Sequence, residues 1–179
     1  YLIDILGFIP NGTRTYFLSR SQPPFFAGMV SILAEEKGDD IYVKYLPQLE
    51  KEYQFWMKDQ SKLSAENMAE LHVVRMPDGS ILNRYYDNSA APRAEMYAAD
   101  VELSKTTKRT PGELYRDLRS ACESGWDFSS RWLSEPTKLS TIRTTSIIPV
   151  DLNALLYNLE LTIAKGYRGK KDQAKVKAY

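Results

Sequence analysis

Apolar positions along this chain recur at helical spacing more often than at strand spacing. Val30, Leu33 and Ala34 share one face of a helix that Gly38 closes. From about Asp40 to Met57, one stripe carries Tyr42, Tyr45, Leu46, Leu49, Tyr53 and Trp56. Pro47 lies inside that stripe. Proline removes an interior hydrogen bond and clashes with the preceding turn, so a break is expected there, with a second helix from Pro47 to about Lys58. The pattern changes between Leu71 and Asp87. His72, Val73 and Val74, the turn residues Pro77-Asp78-Gly79, and Ile81 to Tyr86 predict a short β-hairpin near 72–86. Helix resumes from Tyr97 to Ser104. Thr110-Pro111-Gly112-Glu113 predicts a helix start with Thr110 as N-cap, Pro111 at the first position and Glu113 closing a capping box. Leu114, Leu118 and Ala121 or Cys122 form the buried stripe of that helix. A last strong helix opens with Asp151 as its cap and carries Leu152, Leu155, Leu156, Leu159 and Ile163. Residues 168–179 read as a basic continuation of a helix. The pattern as a whole predicts a mainly helical, all-α architecture joined by long connections rich in proline and aromatic residues.

Length and composition narrow this picture. A chain of 179 residues suits one domain or part of a larger one. With 43% hydrophobic and 26% charged residues it is of ordinary globular composition, which excludes collagen-like and disordered classes. Its formal net charge of +1 provides no global field to attract nucleic acid or an anionic membrane. The charge is uneven: five basic residues and one aspartate after Tyr167 leave the first 167 residues at −3. The single Cys122 rules out an internal disulfide framework and a cysteine-based zinc site, and the single His72 rules out a multi-histidine metal site. No apolar run approaches the roughly 20 residues that span a bilayer. The start, Tyr1-Leu2-Ile3-Asp4, has neither an initiator methionine nor a signal pattern and reads as an internal stretch of a longer protein.

Two connections carry candidate chemistry. The first runs from Gly7 to Phe26 and sets Asn11, Arg20, Ser21 and Gln22 among prolines and aromatics. Amide and guanidinium groups suit hydroxyl-rich ligands because each offers directed donors, and the amides also accept. A rigid loop in which Arg20 simply pairs with a carboxylate is the equally weighted alternative. The second connection runs from Glu123 to Trp132 and places Asp127 between Trp126 and Phe128. Apolar neighbours raise a carboxyl pKa and keep an aspartate available as a general acid, while Trp126 and Trp132 offer faces for sugar rings. The alternative puts both tryptophans in the core and makes Asp127 a helix cap.

Longer strings go beyond such generic features. They include Ile9-Pro10-Asn11-Gly12, Ser19 to Phe26, Tyr45-Leu46-Pro47, Lys51-Glu52-Tyr53, Pro92-Arg93-Ala94-Glu95, Ser124-Gly125-Trp126-Asp127, Ser130-Arg131-Trp132, Ile142-Arg143-Thr144 and Pro149 to Ala154. Through them the chain resembles the α,α-trehalases, inverting glycoside hydrolases that cleave trehalose into two glucose molecules, from about Gly7 to Lys165. The resemblance implies an (α/α)6 barrel of which residues 1–167 form a central part, with 168–179 a truncated helix. It implies Asp127 as catalytic acid, and Asn11, Arg20, Ser21, Gln22, Arg93, Glu95 and Gly125 as substrate-binding positions. Ala94 departs from the family's usual middle proline in the Arg93–Glu95 triplet. The implied general base is a glutamate in a later stretch, with no counterpart here, so this chain by itself is expected to lack the complete catalytic pair.

The implied substrate is trehalose. The implied chemistry uses an acid, a base and water, and calls for neither a metal nor an organic cofactor, nor for a nucleic-acid or membrane partner. Secretion or surface attachment is implied for animal members, and a periplasmic or cytoplasmic site for bacterial ones. A catalytically inactive sugar-binding or scaffolding segment is the alternative from another class. A related barrel glycosidase acting on another disaccharide is a third, against which the density of trehalase-type strings argues. The Asn11-Gly12-Thr13 sequon is expected to be unused, because a glycan there would block the pocket. His72 is expected to be a hairpin side chain, and Cys122 buried filler.

Overall fold

The computed structural model describes residues 1–179 as seven α-helices, six short 3-10 turns and one three-stranded antiparallel sheet. They form two compact units. The first comprises Tyr1–Ile9, Pro24–Lys58 and Val150–Tyr179; the second comprises Pro10–Pro23 and Asp59–Pro149.

The first unit is entirely helical: α1 (Leu2–Leu6), α2 (Phe26–Lys37), α3 (Asp40–Trp56), α6 (Val150–Gly169) and α7 (Gln173–Ala178). Its centre is the pairing of α3 with α6, where Leu46, Leu49, Trp56, Leu152, Leu159 and Ile163 are completely buried. Gly166 makes the close approach possible, since a Cβ there would come within 2.9 Å of both the Leu46 side chain and the Tyr42 carbonyl. The expected break at Pro47 does not occur. α3 runs through Pro47 unbroken, with that residue on its exposed face. One lost backbone hydrogen bond on the wet side costs less than interrupting a stripe buried from Tyr42 to Trp56. α6 starts at Val150, two residues earlier than a cap at Asp151 implies, so Asp151 lies in its first turn, where a carboxylate favours the positive helix end. α6 stops at Gly169, and the basic segment forms the separate α7 after a turn in which Lys171 takes φ 61°.

The second unit contains the sheet, α4 (Tyr97–Ser104) and α5 (Pro111–Glu123). The expected hairpin is present as β2 (Val73–Arg75) and β3 (Ile81–Asn83), with Val74 opposite Leu82. A third strand, β1 (Ala69–Glu70), pairs with β2 and had no alternating pattern to announce it. α5 starts at Pro111 as expected and buries Leu114, Leu118, Ala121 and Cys122. The capping box does not close in its usual form. The Thr110 hydroxyl donates to Glu113 Oε2 at 2.7 Å, and the Thr110 side chain caps none of the first helical amides.

Candidate active site

All eight sequence-derived site residues lie in the second unit, around the C-terminal end of α5. The first loop folds back on itself through a backbone bridge between Pro10 and Ser21, closed by the Asn11 amide donating to the Arg20 carbonyl at 2.9 Å. This places the Asn11, Arg20 and Gln22 side chains together. Asn11 Nδ2 donates to the Cys122 carbonyl at 3.0 Å, satisfying one of the acceptors that a helix end leaves open. Arg20 Nε donates to Asn11 Oδ1 at 3.0 Å, and Gln22 Nε2 donates to the Asn11 carbonyl at 3.2 Å.

Arg20 is the centre of this cluster. Only 1% of it is exposed, its guanidinium lies over the Phe17 ring, and one terminal nitrogen pairs with Glu95 Oε1. The other terminal nitrogen, Nη1, is buried and has no hydrogen-bond partner. A buried guanidinium N–H without an acceptor is costly, and the cost is removed when a ligand oxygen fills the position. The alternative reading of Arg20 as half of an ion pair is thus realised, yet it leaves a donor unspent.

Arg93 is held differently. Its backbone amide, Nε and Nη2 donate to Asp100 at 2.9, 3.0 and 2.6 Å, and its guanidinium stacks on Phe128. Burial works against the Arg93 charge, but the bonds to Asp100 outweigh it and hold the group above its ordinary pKa. The triplet therefore divides its labour: Arg93 is fixed by Asp100 on α4, while Glu95 reaches Arg20.

Asp127 follows the end of α5 by four residues. Gly125 takes φ 68°, the left-handed conformation that ends helices, and Phe128 takes φ 57°, a strained value for an aromatic residue. These two residues bracket the turn that delivers Asp127. The expected apolar surround is not present in this unit, because Asp127 is exposed. The two tryptophans also part company. Trp132 is buried and donates to the Trp126 carbonyl at 2.9 Å, whereas Trp126 is 56% exposed with Arg131 over its ring. Trp132 is thus core, as the alternative reading had it, and Trp126 is an accessible aromatic face.

Cys122 lies between these groups. Burial pushes its thiol up to about 11, with the Asp127 charge adding to the shift and Arg93 and Arg20 opposing it. Arg93 Nη1 also lies 3.5 Å from its sulfur. One thiol therefore feels the candidate acid and both candidate arginines, and is kept protonated rather than reactive.

A family model described as Trehalase matches residues 1–179, the whole chain. The chain belongs to the trehalase family. It is 54% identical over 180 aligned positions to periplasmic trehalases of Salmonella paratyphi A and Salmonella agona (strain SL483), and to one of Salmonella choleraesuis (strain SC-B67). In each case the match covers 100% of this chain and 31% of the relative. The mainly helical architecture is that expected of a trehalase segment. No helix is long and apolar enough to cross a membrane.

Several residues of this candidate site were not singled out by sequence reasoning. Glu123 is buried and binds Ser21, His72 and Tyr86, so His72, at the start of the hairpin, is also a member of this network. Asp100 fixes Arg93, and Arg119 with Asp87 holds Ser19. Glu123 stands directly before the Ser-Gly-Trp-Asp string, which is the one local signal available. Asp100 and Asp87 carry none, because their partners come from other elements.

Proposed function

We propose that this chain supplies the general acid and much of one sugar pocket of a periplasmic α,α-trehalase. The observation that carries this reading is the Asn11–Arg20–Glu95 cluster, with its buried and unspent Arg20 donor, beside the turn that holds Asp127. Trehalose is uncharged and covered in hydroxyls, so recognition falls to amides, guanidinium forks and carboxylates. Asn11, Arg20, Gln22 and Glu95 offer these groups, with Trp126 as a face for the ring.

In this mechanism Asp127 gives its proton to the glycosidic oxygen as the bond to the anomeric carbon breaks. A second carboxylate takes a proton from the water that attacks the opposite face, and inversion needs the two carboxyl groups about 6.5–9.5 Å apart. The neighbouring carboxylates suit that role poorly. Both Glu123 oxygens are occupied by donors, and Glu95 is paired with Arg20. The resemblance to the trehalases implies instead a glutamate in a later stretch of the full-length protein as this base.

The test is glucose release from trehalose by the full-length protein and by its Asp127→Asn variant. Loss of a general acid lowers kcat by about 10²–10⁴-fold. The first glucose formed on the water-attacked side should be the β-anomer, read by NMR. An Asp127→Asn protein within a few-fold of wild type would sink the assignment of the acid. A wild type without trehalose hydrolysis would favour a sugar-binding role.

A further inference from the structure

We propose that Glu123 is a positioning residue for this site, locking the Arg20–Ser21–Gln22 loop onto the end of α5 from which Asp127 is delivered. The proposal rests on the trehalase reading above. Glu123 is the last residue of α5 and is fully buried. Its carboxylate gathers donors from three separate segments. The Ser21 amide and hydroxyl donate to Oε1 at 3.0 and 2.9 Å, and the Tyr86 amide donates to Oε2 at 2.8 Å. His72 Nε2 lies 3.1 and 3.0 Å from the two oxygens.

Each bond constrains the site within a few covalent links. The Ser21 amide shares its peptide unit with the Arg20 carbonyl, which accepts from Asn11. Fixing Ser21 thus fixes both ends of the Asn11–Arg20 pair. On the other side Glu123 adjoins Ser124, whose Oγ accepts from the Trp126 amide at 3.0 Å and so shapes the turn before Asp127. One carboxylate therefore sets the distance between sugar-binding loop and acid.

The donors make a carboxylate necessary. A carboxylate only accepts, at both oxygens, and here each oxygen faces a backbone N–H that cannot be reversed. Glutamine has the same shape but one donor end. Whichever way its amide turns, an NH2 meets either the Ser21 or the Tyr86 amide head-on, and the loop must shift to relieve it. A shift on the order of 1 Å at a reacting site costs about 100-fold in rate.

The experiment compares full-length wild type, Glu123→Gln, Ser21→Ala and the double variant, with kcat and KM for trehalose expressed per folded active site. Glu123→Gln is expected to lower kcat/KM by about 100-fold, with kcat falling and KM rising together. The double variant is expected to be no worse than Glu123→Gln alone, because Ser21 acts through Glu123. A merely structural residue would lower the melting temperature and leave both constants within twofold of wild type; that result, or full additivity of the two changes, overturns the proposal. If Glu123→Gln does not fold, Glu123→Asp decides, since it keeps the carboxylate but shortens its reach to Ser21 and Tyr86: a several-fold loss of kcat/KM supports the link and unchanged constants overturn it. A wild type that releases no glucose overturns the trehalase reading and this proposal with it, whereas an active wild type with unchanged constants in the variants overturns this proposal alone.

Discussion

The two units of this chain are held together by different physics. In the helical unit the buried side chains are almost all apolar, and Glu52 and Thr162 are the exceptions. In the other unit Arg20, Asp87, Arg93, Asp100, Asp117, Arg119, Glu123 and His72 are all buried. Apolar burial is strong but non-directional, and it tolerates small slides of one helix on another. Charge-assisted hydrogen bonds are directional, and a buried charge without its partner is heavily penalised. The first kind of core makes a scaffold; the second fixes side chains at particular angles. It is the second that surrounds Asn11, Arg20, Glu95 and Asp127.

Three changes can break or sharpen that contrast in the full-length protein. The largest effect belongs to Arg93→Met, which leaves Asp100 charged and buried and should cost about 3–5 kcal/mol. Adding Asp100→Asn should recover part of that loss. Native-state hydrogen exchange in α4 and α5 is the readout, and a single variant as protected as wild type would mean that the pair does not hold this unit. Leu159→Ala in the apolar core should cost about 2–5 kcal/mol through lost transfer energy and the cavity left behind. Its signature is faster exchange along α3 and α6 with kcat/KM little changed. An activity loss as deep as that of Asp127→Asn would contradict the division between scaffold and site.

The last effect concerns the exception in the apolar unit, and it is spread over several pH units. Glu52 is 1% exposed, its Oε2 has no partner, and desolvation pushes its pKa up to about 8 from 4.5. The folded form therefore holds its proton between those two pH values while the unfolded form releases it. Stability should fall as pH rises through that window, by at most about 1.4 kcal/mol per pH unit, and the full benefit is present only below the unfolded pKa. Glu52→Gln should flatten this slope without loss of fold. A melting temperature whose pH dependence is the same in both proteins would show that Glu52 is relieved by a partner.

How much was legible in the sequence differs between the same two units. Helical spacing alone located α2, both parts of α3 and α6 with most of their buried apolar residues, because a 3.6-residue stripe is a local property, although Leu33, Tyr45, Tyr53 and Leu155 on those stripes are only half-buried. Pro47 misled for the converse reason: its local cost is outweighed by a packing partner more than 100 residues away. The hairpin was readable from its turn, but the two-residue β1 was not. Around the site, residue types and motif strings pointed to Asn11, Arg20, Glu95 and Asp127. No spacing told that Arg20 would choose Glu95, that Arg93 would choose Asp100, or that Asp127 would stand exposed while Trp132 filled the core.

By itself the sequence determined the helical character, the family and the chemical types at the site, since these reside in local periodicity and in strings of neighbouring residues. Only the tertiary structure decided which buried polar group meets which. Such pairs join residues as far apart as Ser21 and Glu123, and they form only because burial removes water and leaves each donor no other acceptor.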